Sequence, residues 1–197
     1  MTDAAAARAA NQPPQKQDVQ VVIPIAYGTQ ARPLTEAERA KHKDHTTAWT
    51  VYVRGPSGES LAYAVDRVIF HLHESIVPPV RTIVAPAPFE VHETGWGEFD
   101  IGIEVVFRGS GAAGLQPVKL TAPLKLFPES VDTAVYPALV GLKQVDPARP
   151  GWLVTEKYDE VVVSEPSAEL YDAVVANVDR SWPIRGTVWG TFSNLLC

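Results

Sequence analysis

Apolar and polar residues alternate in short stretches along most of the chain, and this period of two predicts β-strands. In the stretch from Val65 to His73, the side chains of Val68, Phe70 and Leu72 fall on one face. The opposite face then carries Ile69, His71 and His73. Further alternating or β-rich segments span residues 19–27, 49–53, 99–107, 118–127 and 158–163.

Prolines predict where these strands lie at a sheet edge and where they end. Pro24 suits an edge strand, and Pro123 implies a bulge or an edge position, because proline has no N–H to donate to a ladder. Prolines at 78–79 and 86–88 predict irregular connections. Residues 128–151 contain four prolines and are expected to form a long loop.

Helical signals are confined to two segments. In residues 168–178, apolar side chains repeat at four-residue steps, and Ser167 is a suitable N-cap, which predicts a helix. Residues 35–45 are strongly charged and predict a loop or a short helix.

About seven short strands with turns between them favour an antiparallel sandwich. We therefore predict one all-β domain over residues 19–178, with a short C-terminal helix. Residues 1–18 are rich in Ala and Gln and predict a disordered arm, and residues 179–197 predict an irregular tail.

Composition narrows the class of protein. The 197 residues carry a net charge of −6, which argues against a nucleic-acid-binding surface. Such a surface would attract a basic partner, but an ordinary acidic soluble protein is the interpretation that the charge by itself favours. The single cysteine, Cys197, excludes a disulfide within the chain. The N-terminal residues do not resemble a secretory signal, and no apolar run is long enough to span a membrane. We expect a location inside the cell and no association with membranes.

Two segments at predicted strand ends contain candidate functional residues: residues 71–75 (HLHES) and 93–99 (ETGWGEF). The glycines on either side of Trp96 let the backbone bend or approach a ligand, and Trp96 offers a large flat face. The competing interpretation is a tryptophan that fills a core gap beneath a turn, and composition alone slightly favours it.

A longer ordered set of motifs resembles the YEATS domain family. It comprises residues 49–55 (WTVYVRG), 72–75 (LHES), 88–99 (PFEVHETGWGEF), 124–127 (LKLF) and 158–163 (YDEVVV), followed by the predicted helix. The resemblance covers residues 19–178, and its Gly-Trp-Gly-Glu-Phe string is closest to the branch found in histone-acetyltransferase and histone-variant-exchange complexes.

The resemblance implies an immunoglobulin-like β-sandwich that binds acetyl- or crotonyl-lysine of histone tails at its loop tips. In that family, a serine hydroxyl and the backbone N–H of a loop aromatic bond the acyl carbonyl, and these positions match Ser75 and Trp96. Other positions of this sequence match residues that line the pocket: His45, His73, Gly95, Gly97 and Phe99.

One pocket position departs from the family pattern. The residue after the serine is usually aromatic, and here it is Ile76, so one wall of the acyl-lysine pocket would be aliphatic. We expect weaker binding and a smaller preference for crotonyl over acetyl groups. Thr47 also stands where many members carry histidine.

Enzymatic and metal-binding alternatives lack their signatures. His71 and His73 share a strand face, but no third ligand has suitable spacing, and Ser75 lies outside any Gly-x-Ser-x-Gly elbow. We expect no catalytic residue, no metal and no cofactor. Glu93, Glu98 and Asp100 either attract a basic tail or, as is more common, form an ordinary solvated edge.

The resemblance therefore implies a nuclear chromatin reader with acylated histone tails and subunits of a chromatin-modifying complex as its partners. The alternative is a scaffold subunit with a weakened pocket. Ile76 and the lack of heptad repeats after the helix keep this alternative open. The lysine, the acyl group and the complex are not specified by the sequence.

Overall fold

The computed structural model describes residues 14–42, 44–110, 115–127, 152–177 and 188–190. Strands and helices are numbered in chain order: β1 (Val19–Pro33), α1 (Glu36–Arg39), β2 (Thr47–Arg54), β3 (Val65–His71), β4 (Val80–Val84), β5 (Phe89–Gly95), β6 (Asp100–Phe107), β7 (Val118–Pro123), β8 (Leu153–Ser164), α2 (Ala168–Asn177) and β9 (Val188–Gly190).

The strands form two antiparallel sheets that face each other across the core. One sheet has the order β5-β2-β1-β8, and β9 also pairs with β1; the other has the order β4-β3-β6-β7. The prediction of an all-β sandwich with a short C-terminal helix is confirmed.

The predicted core faces are correct in both long alternating segments. Val68 and Phe70 of β3 are fully buried, and Leu72 just beyond β3 is nearly so. In β6, Ile101 and Ile103 alternate inward in the same way. Burying such side chains contributes about 1.5–3 kcal/mol each, which favours this strand register over a slip by one residue.

Pro24 does not lie in an edge strand, contrary to the prediction. Strand β1 pairs with β8 along most of its length, and on its other side it pairs with β9 near Val19 and with β2 from Ala26 onward. Among the described pairings, Pro24 falls between these last two ladders, where its missing N–H costs no ladder bond on that side. Pro123, in contrast, ends the edge strand β7 as predicted.

The irregular connections predicted around the prolines contain two strands. β4 lies between Pro79 and Pro86, and β5 begins directly after Pro88. Both strands are short, and because prolines flank them, the alternation of apolar and polar residues was not recognised as a strand signal in the sequence. The strand predicted to reach Phe127 ends at Pro123 instead. The Leu124 N–H still donates to the Phe99 carbonyl, but the N–H groups of Leu126 and Phe127 donate to the Glu98 carboxylate rather than to a strand.

Both helices begin at capping residues. The Ser167 hydroxyl accepts the backbone N–H of Leu170 at 3.2 Å, so the predicted N-cap of α2 is correct. Thr35 and Glu38 form a reciprocal capping box on α1, which resolves residues 35–45 as containing a short helix.

In both terminal segments, the residues that the structure describes depart from the predicted disordered arm and irregular tail. Gln15 bridges to Ser167, and the Lys16 N–H donates to Pro166 O, so this end of the arm pairs with the domain. Strand β9 lies within the tail predicted to be irregular. The predicted loop 128–151 lies outside the described residues, as do Val178 and the rest of both termini.

Candidate functional site

A groove of about 630 Å³ opens at one end of the sandwich. It is lined by His45, Trp49, His73, Ser75, Ile76, Val77, Glu93, Thr94, Gly95, Trp96, Gly97, Glu98 and Phe99. All eight residues predicted for the pocket are among them. Their role in binding stays a prediction, but the structure brings them together around one cavity.

The groove lies where strands from both sheets end. In one sheet, the first residue of β2, Thr47, pairs with the last residue of β5, Gly95, so the turn before β2 and the loop after β5 meet. In the other sheet, β3 ends at His71, and the loop to β4 carries the second wall. Because these strands end at the same end of the sandwich, residues from distant parts of the sequence meet at the groove.

The wall formed by residues 95–97 holds Trp96 out in the groove. Trp96 is 66% exposed, so the competing interpretation of a core tryptophan is wrong for this residue. Trp49, which is 3% exposed, is the buried tryptophan here. A Cβ on Gly97 would meet nothing within 4 Å, so the backbone there is open to an incoming chain.

The backbone of this wall offers the N–H group of Trp96 to a ligand. The Gly95 carbonyl accepts the Thr46 N–H at 3.1 Å, whereas no acceptor for the Trp96 backbone N–H occurs in the described part of the chain. An exposed N–H beside a flat aromatic face is suited to a ligand carbonyl.

Aromatic rings form the floor of the groove. The Phe99 ring packs edge-on against Trp49 and at a tilt against His73, with 5.8 Å between ring centroids in each pair. Ile76 is half-buried against the same core and supplies the aliphatic wall that the sequence indicated. The cavity is therefore apolar at its base and polar at its rim.

The rim is held by hydrogen bonds, one between two distant sequence segments and one within the loop after β3. His45 Nδ1 lies 2.6 Å from Thr94 Oγ1, and the Ser75 backbone N–H donates to His73 Nδ1 at 3.2 Å. The sequence prediction did not include Trp49, Val77 or Thr94. Trp49 and Thr94 lie within the motifs of the family resemblance, and Val77 lies two residues after Ser75, but no further signal marked these three as groove residues.

Both acidic residues of the groove are engaged within the protein. Glu93 Oε1 lies 2.8 Å from Arg81 Nη2. Glu98 accepts the backbone N–H groups of Leu126 and Phe127 at 2.7 and 3.1 Å, which ties the loop after β5 to the end of β7. These contacts join each carboxylate to a neighbouring segment, and a role in attracting a basic tail stays a prediction.

Two features are absent from the residues that the structure describes. None of their helices is long and apolar enough to cross a membrane. They contain no group of three or more His, Cys, Asp or Glu side chains placed to hold a metal ion.

Comparisons with known proteins agree with the fold and the motifs. A sequence model described as the YEATS family matches residues 44–128. The AF-9 homolog of Kluyveromyces lactis is 32% identical over 183 residues, covering 89% of this chain and 78% of that protein. The AF-9 homolog of Emericella nidulans is 38% identical over 156 residues, but this chain spans only 52% of its length.

Solved structures give the same result. The crystal structure of the Yaf9 YEATS domain bound to H3K27ac has a TM-score of 0.63 and 31% identity, covering 82% of this chain and 98% of that one. The Yaf9 YEATS domain recognizing an H3K122suc peptide has a TM-score of 0.61 and 34% identity, covering 80% and 94%. This chain belongs to the YEATS family. Its predicted immunoglobulin-like β-sandwich fold is confirmed.

Proposed function

We propose that this protein is a non-catalytic chromatin reader that binds acetyl- or crotonyl-lysine of histone tails in the groove at the end of the sandwich. The observation that carries the proposal is the convergence of all eight predicted pocket residues on one cavity. The solved relatives support it, since Yaf9 YEATS domains were crystallised with acetylated and succinylated histone H3 peptides.

The chemistry of the groove suits a neutral acylated lysine better than a free one. Acylation replaces an ammonium with a flat amide, so desolvating the side chain costs far less. The exposed Trp96 ring can stack on that amide, and the floor beneath it is apolar. The Trp96 N–H and the Ser75 hydroxyl are the donors within reach of the acyl carbonyl.

Affinity should be modest. Two hydrogen bonds and one aromatic contact contribute about 1 kcal/mol each, whereas micromolar binding requires about 8 kcal/mol. The remainder has to come from apolar contacts of the acyl-lysine and from the rest of the peptide, so micromolar affinity is the upper limit that we expect. The aliphatic Ile76 in place of a second aromatic wall lowers the expected affinity further.

The proposal also includes the compartment of the protein and its membership of a complex. We place the protein in the nucleus as a subunit of a histone-acetyltransferase or chromatin-remodelling complex, without direct sequence-specific contact to nucleic acid. A relative supports complex membership: subunit 14b of transcription initiation factor TFIID from Arabidopsis thaliana is 37% identical over 160 residues, covering 81% of this chain and 53% of that protein.

The test is a calorimetric titration with unmodified, acetylated and crotonylated histone H3 peptides. We expect binding that requires the acyl group and is lost in Trp96→Ala. Tyr158→Ala is the matched control, because Tyr158 is an aromatic residue of similar exposure on β8. If millimolar acylated peptide does not bind to the folded protein, the reader function is wrong and the scaffold alternative takes its place.

A further inference from the structure

The two walls of the groove belong to different sheets. The wall with Ser75 and Ile76 lies in the loop that precedes β4, at the edge of one sheet. The wall with Gly95 and Trp96 continues from β5, at the edge of the other sheet. No ladder hydrogen bonds join the two sheets at this edge, so the width of the groove depends on side chains that cross between them.

Arg81 of β4 makes such a crossing. Its Nη2 lies 2.8 Å from Oε1 of Glu93 on β5. The same guanidinium donates from Nε to the Pro78 carbonyl at 2.7 Å and from Nη2 to the Val77 carbonyl at 3.3 Å. One side chain therefore binds the loop of the first wall and the strand of the second.

The environment makes these contacts stronger than those of an ordinary surface pair. Both side chains are only 26% exposed, so solvent screens their charges less than on an open surface. The planar guanidinium holds three acceptors at fixed angles, which a flexible ammonium cannot do. Glu93 lines the groove, whereas Arg81 does not, so Arg81 can act on a ligand only through the walls that it joins.

We propose that Arg81 is a positioning residue that fixes the width of the acyl-lysine groove by holding the Ile76–Val77 loop against Glu93. The inference rests on the proposed reader function and adds a determinant of acyl-group selectivity outside the pocket lining. We call the contacts of Arg81 to Glu93 and to the Val77 and Pro78 carbonyls the Arg81 clamp. With the clamp intact, the two walls stay at one distance from each other, and the groove accepts a short acyl group. Without it, the loop moves independently of β5, and the fit to acetyl-lysine is lost first.

The binding test compares Arg81→Gln with Arg54→Gln. Arg54 is a matched control because its guanidinium also pairs with a glutamate on another strand, Glu156, and donates to two loop carbonyls, those of Gly55 and Pro56. It ends β2, whereas the groove lies at the start of β2, roughly 20 Å away along the strand.

Titrations with acetylated and butyrylated H3 peptides should separate the two variants. We expect Arg81→Gln to weaken acetyl-lysine binding by about fivefold to tenfold, to weaken butyryl-lysine binding less, and thus to lower the acetyl-to-butyryl affinity ratio. Arg54→Gln should keep both affinities within about twofold of the wild type. Arg81→Lys should recover part of the loss, because an ammonium can still pair with Glu93.

A second measurement does not depend on a ligand. Amide hydrogen exchange at Ile76 and Val77 should be faster in Arg81→Gln than in the wild type, and unchanged in Arg54→Gln. If wild-type protein binds no acylated peptide, the reader function fails, and exchange still decides whether the clamp exists. Unchanged exchange, or an unchanged acetyl-to-butyryl ratio in a protein that binds, overturns the inference about Arg81.

Discussion

The hydroxyl oxygen of Ser75 lies 2.9 Å from Nδ1 of His73, in the loop that forms one wall of the groove. Since the Ser75 backbone N–H also points at this nitrogen, Nδ1 acts as an acceptor, and the hydroxyl donates to it in the unliganded protein. A ligand carbonyl must therefore compete with His73 for the Ser75 hydroxyl hydrogen.

Ser75→Ala tests the contribution of this hydroxyl. Removing one neutral hydrogen bond should weaken acetyl-lysine binding by about threefold to tenfold, and stability should not change because Ser75 is exposed. The measurement is a calorimetric titration with Ser60→Ala as the control, an exposed serine at the other end of the sandwich. Equal affinities in the Ser75 variant and the wild type would remove Ser75 from the site.

Ile76→Phe should restore an aromatic wall opposite Trp96. We expect tighter binding by about twofold to tenfold and a larger preference for the planar crotonyl group over acetyl. Parallel titrations with the two peptides measure both effects. An affinity that does not change would show that the aliphatic wall is not what limits binding.

Two glycine-to-alanine variants should separate folding from binding. A Cβ on Gly28 would lie 2.0 Å from the backbone oxygen of Thr155, so Gly28→Ala should lower the free energy of unfolding by about 3 kcal/mol or more. Gly97→Ala adds a methyl group in open space and should leave stability within about 0.5 kcal/mol. Its methyl group narrows the groove, so peptide affinity should fall by about fivefold or more. Chemical denaturation measures the stability of both variants, and peptide titration measures the affinity of Gly97→Ala. A Gly28→Ala protein as stable as the wild type would contradict the prediction for Gly28.

A buried threonine pair joins the sheets behind the groove. Thr29 and Thr155 have their hydroxyl oxygens 2.6 Å apart, and each lies within 3.2 Å of the Pro123 carbonyl oxygen. Thr155→Val keeps the volume but removes a donor, and urea denaturation should show a loss of about 1–2 kcal/mol. Thr82→Val, at an exposed position on β4, is the control. A variant as stable as the wild type would show that the pair contributes nothing.

Stability should fall at alkaline pH in a way that depends on Tyr52. Burial raises the pKa of Tyr52 well above its ordinary value, and the hydrogen bond that it donates to Glu156 adds to this shift. Because the folded protein binds this proton more tightly, the stabilising contribution is complete below about pH 10, the ordinary tyrosine pKa, and is lost as the pH rises toward the folded pKa.

The measurement for Tyr52 is urea denaturation at pH 8 and at pH values above 10. Tyr52→Phe should show a smaller decrease in stability between them than the wild type. Burial and Glu160 also raise the pKa values of Tyr27 and Tyr158, respectively, so some decrease should remain in both proteins. Identical pH dependence in the two proteins would contradict the assignment to Tyr52.

The local features of this fold follow from the sequence alone. The period of two placed Val68 and Phe70 inward because successive side chains on a strand point to opposite faces, and no distant partner is needed for that. The Ser167 cap was predictable for the same reason, since its hydroxyl bonds a backbone group three residues away. The pocket residues were found through resemblance to a family, because periodicity does not connect residues 45, 75 and 96.

The pairing of the strands and the contacts between the groove walls depend instead on how the two sheets pack together. The missing N–H of Pro24 suggested an edge strand. Strand β1 is nevertheless flanked on both sides, because it pairs with β2, β8 and β9, three strands that are widely separated from one another in the sequence. Trp49 opens an alternating segment, and Trp96 lies between two glycines. Neither context specified burial: Trp49 is buried, whereas Trp96, for which composition slightly favoured a core position, is exposed. The contact between Arg81 and Glu93 likewise exists only because the edges of the two sheets meet. Such contacts depend on the packing of whole sheets, and no local pattern of residues specifies it.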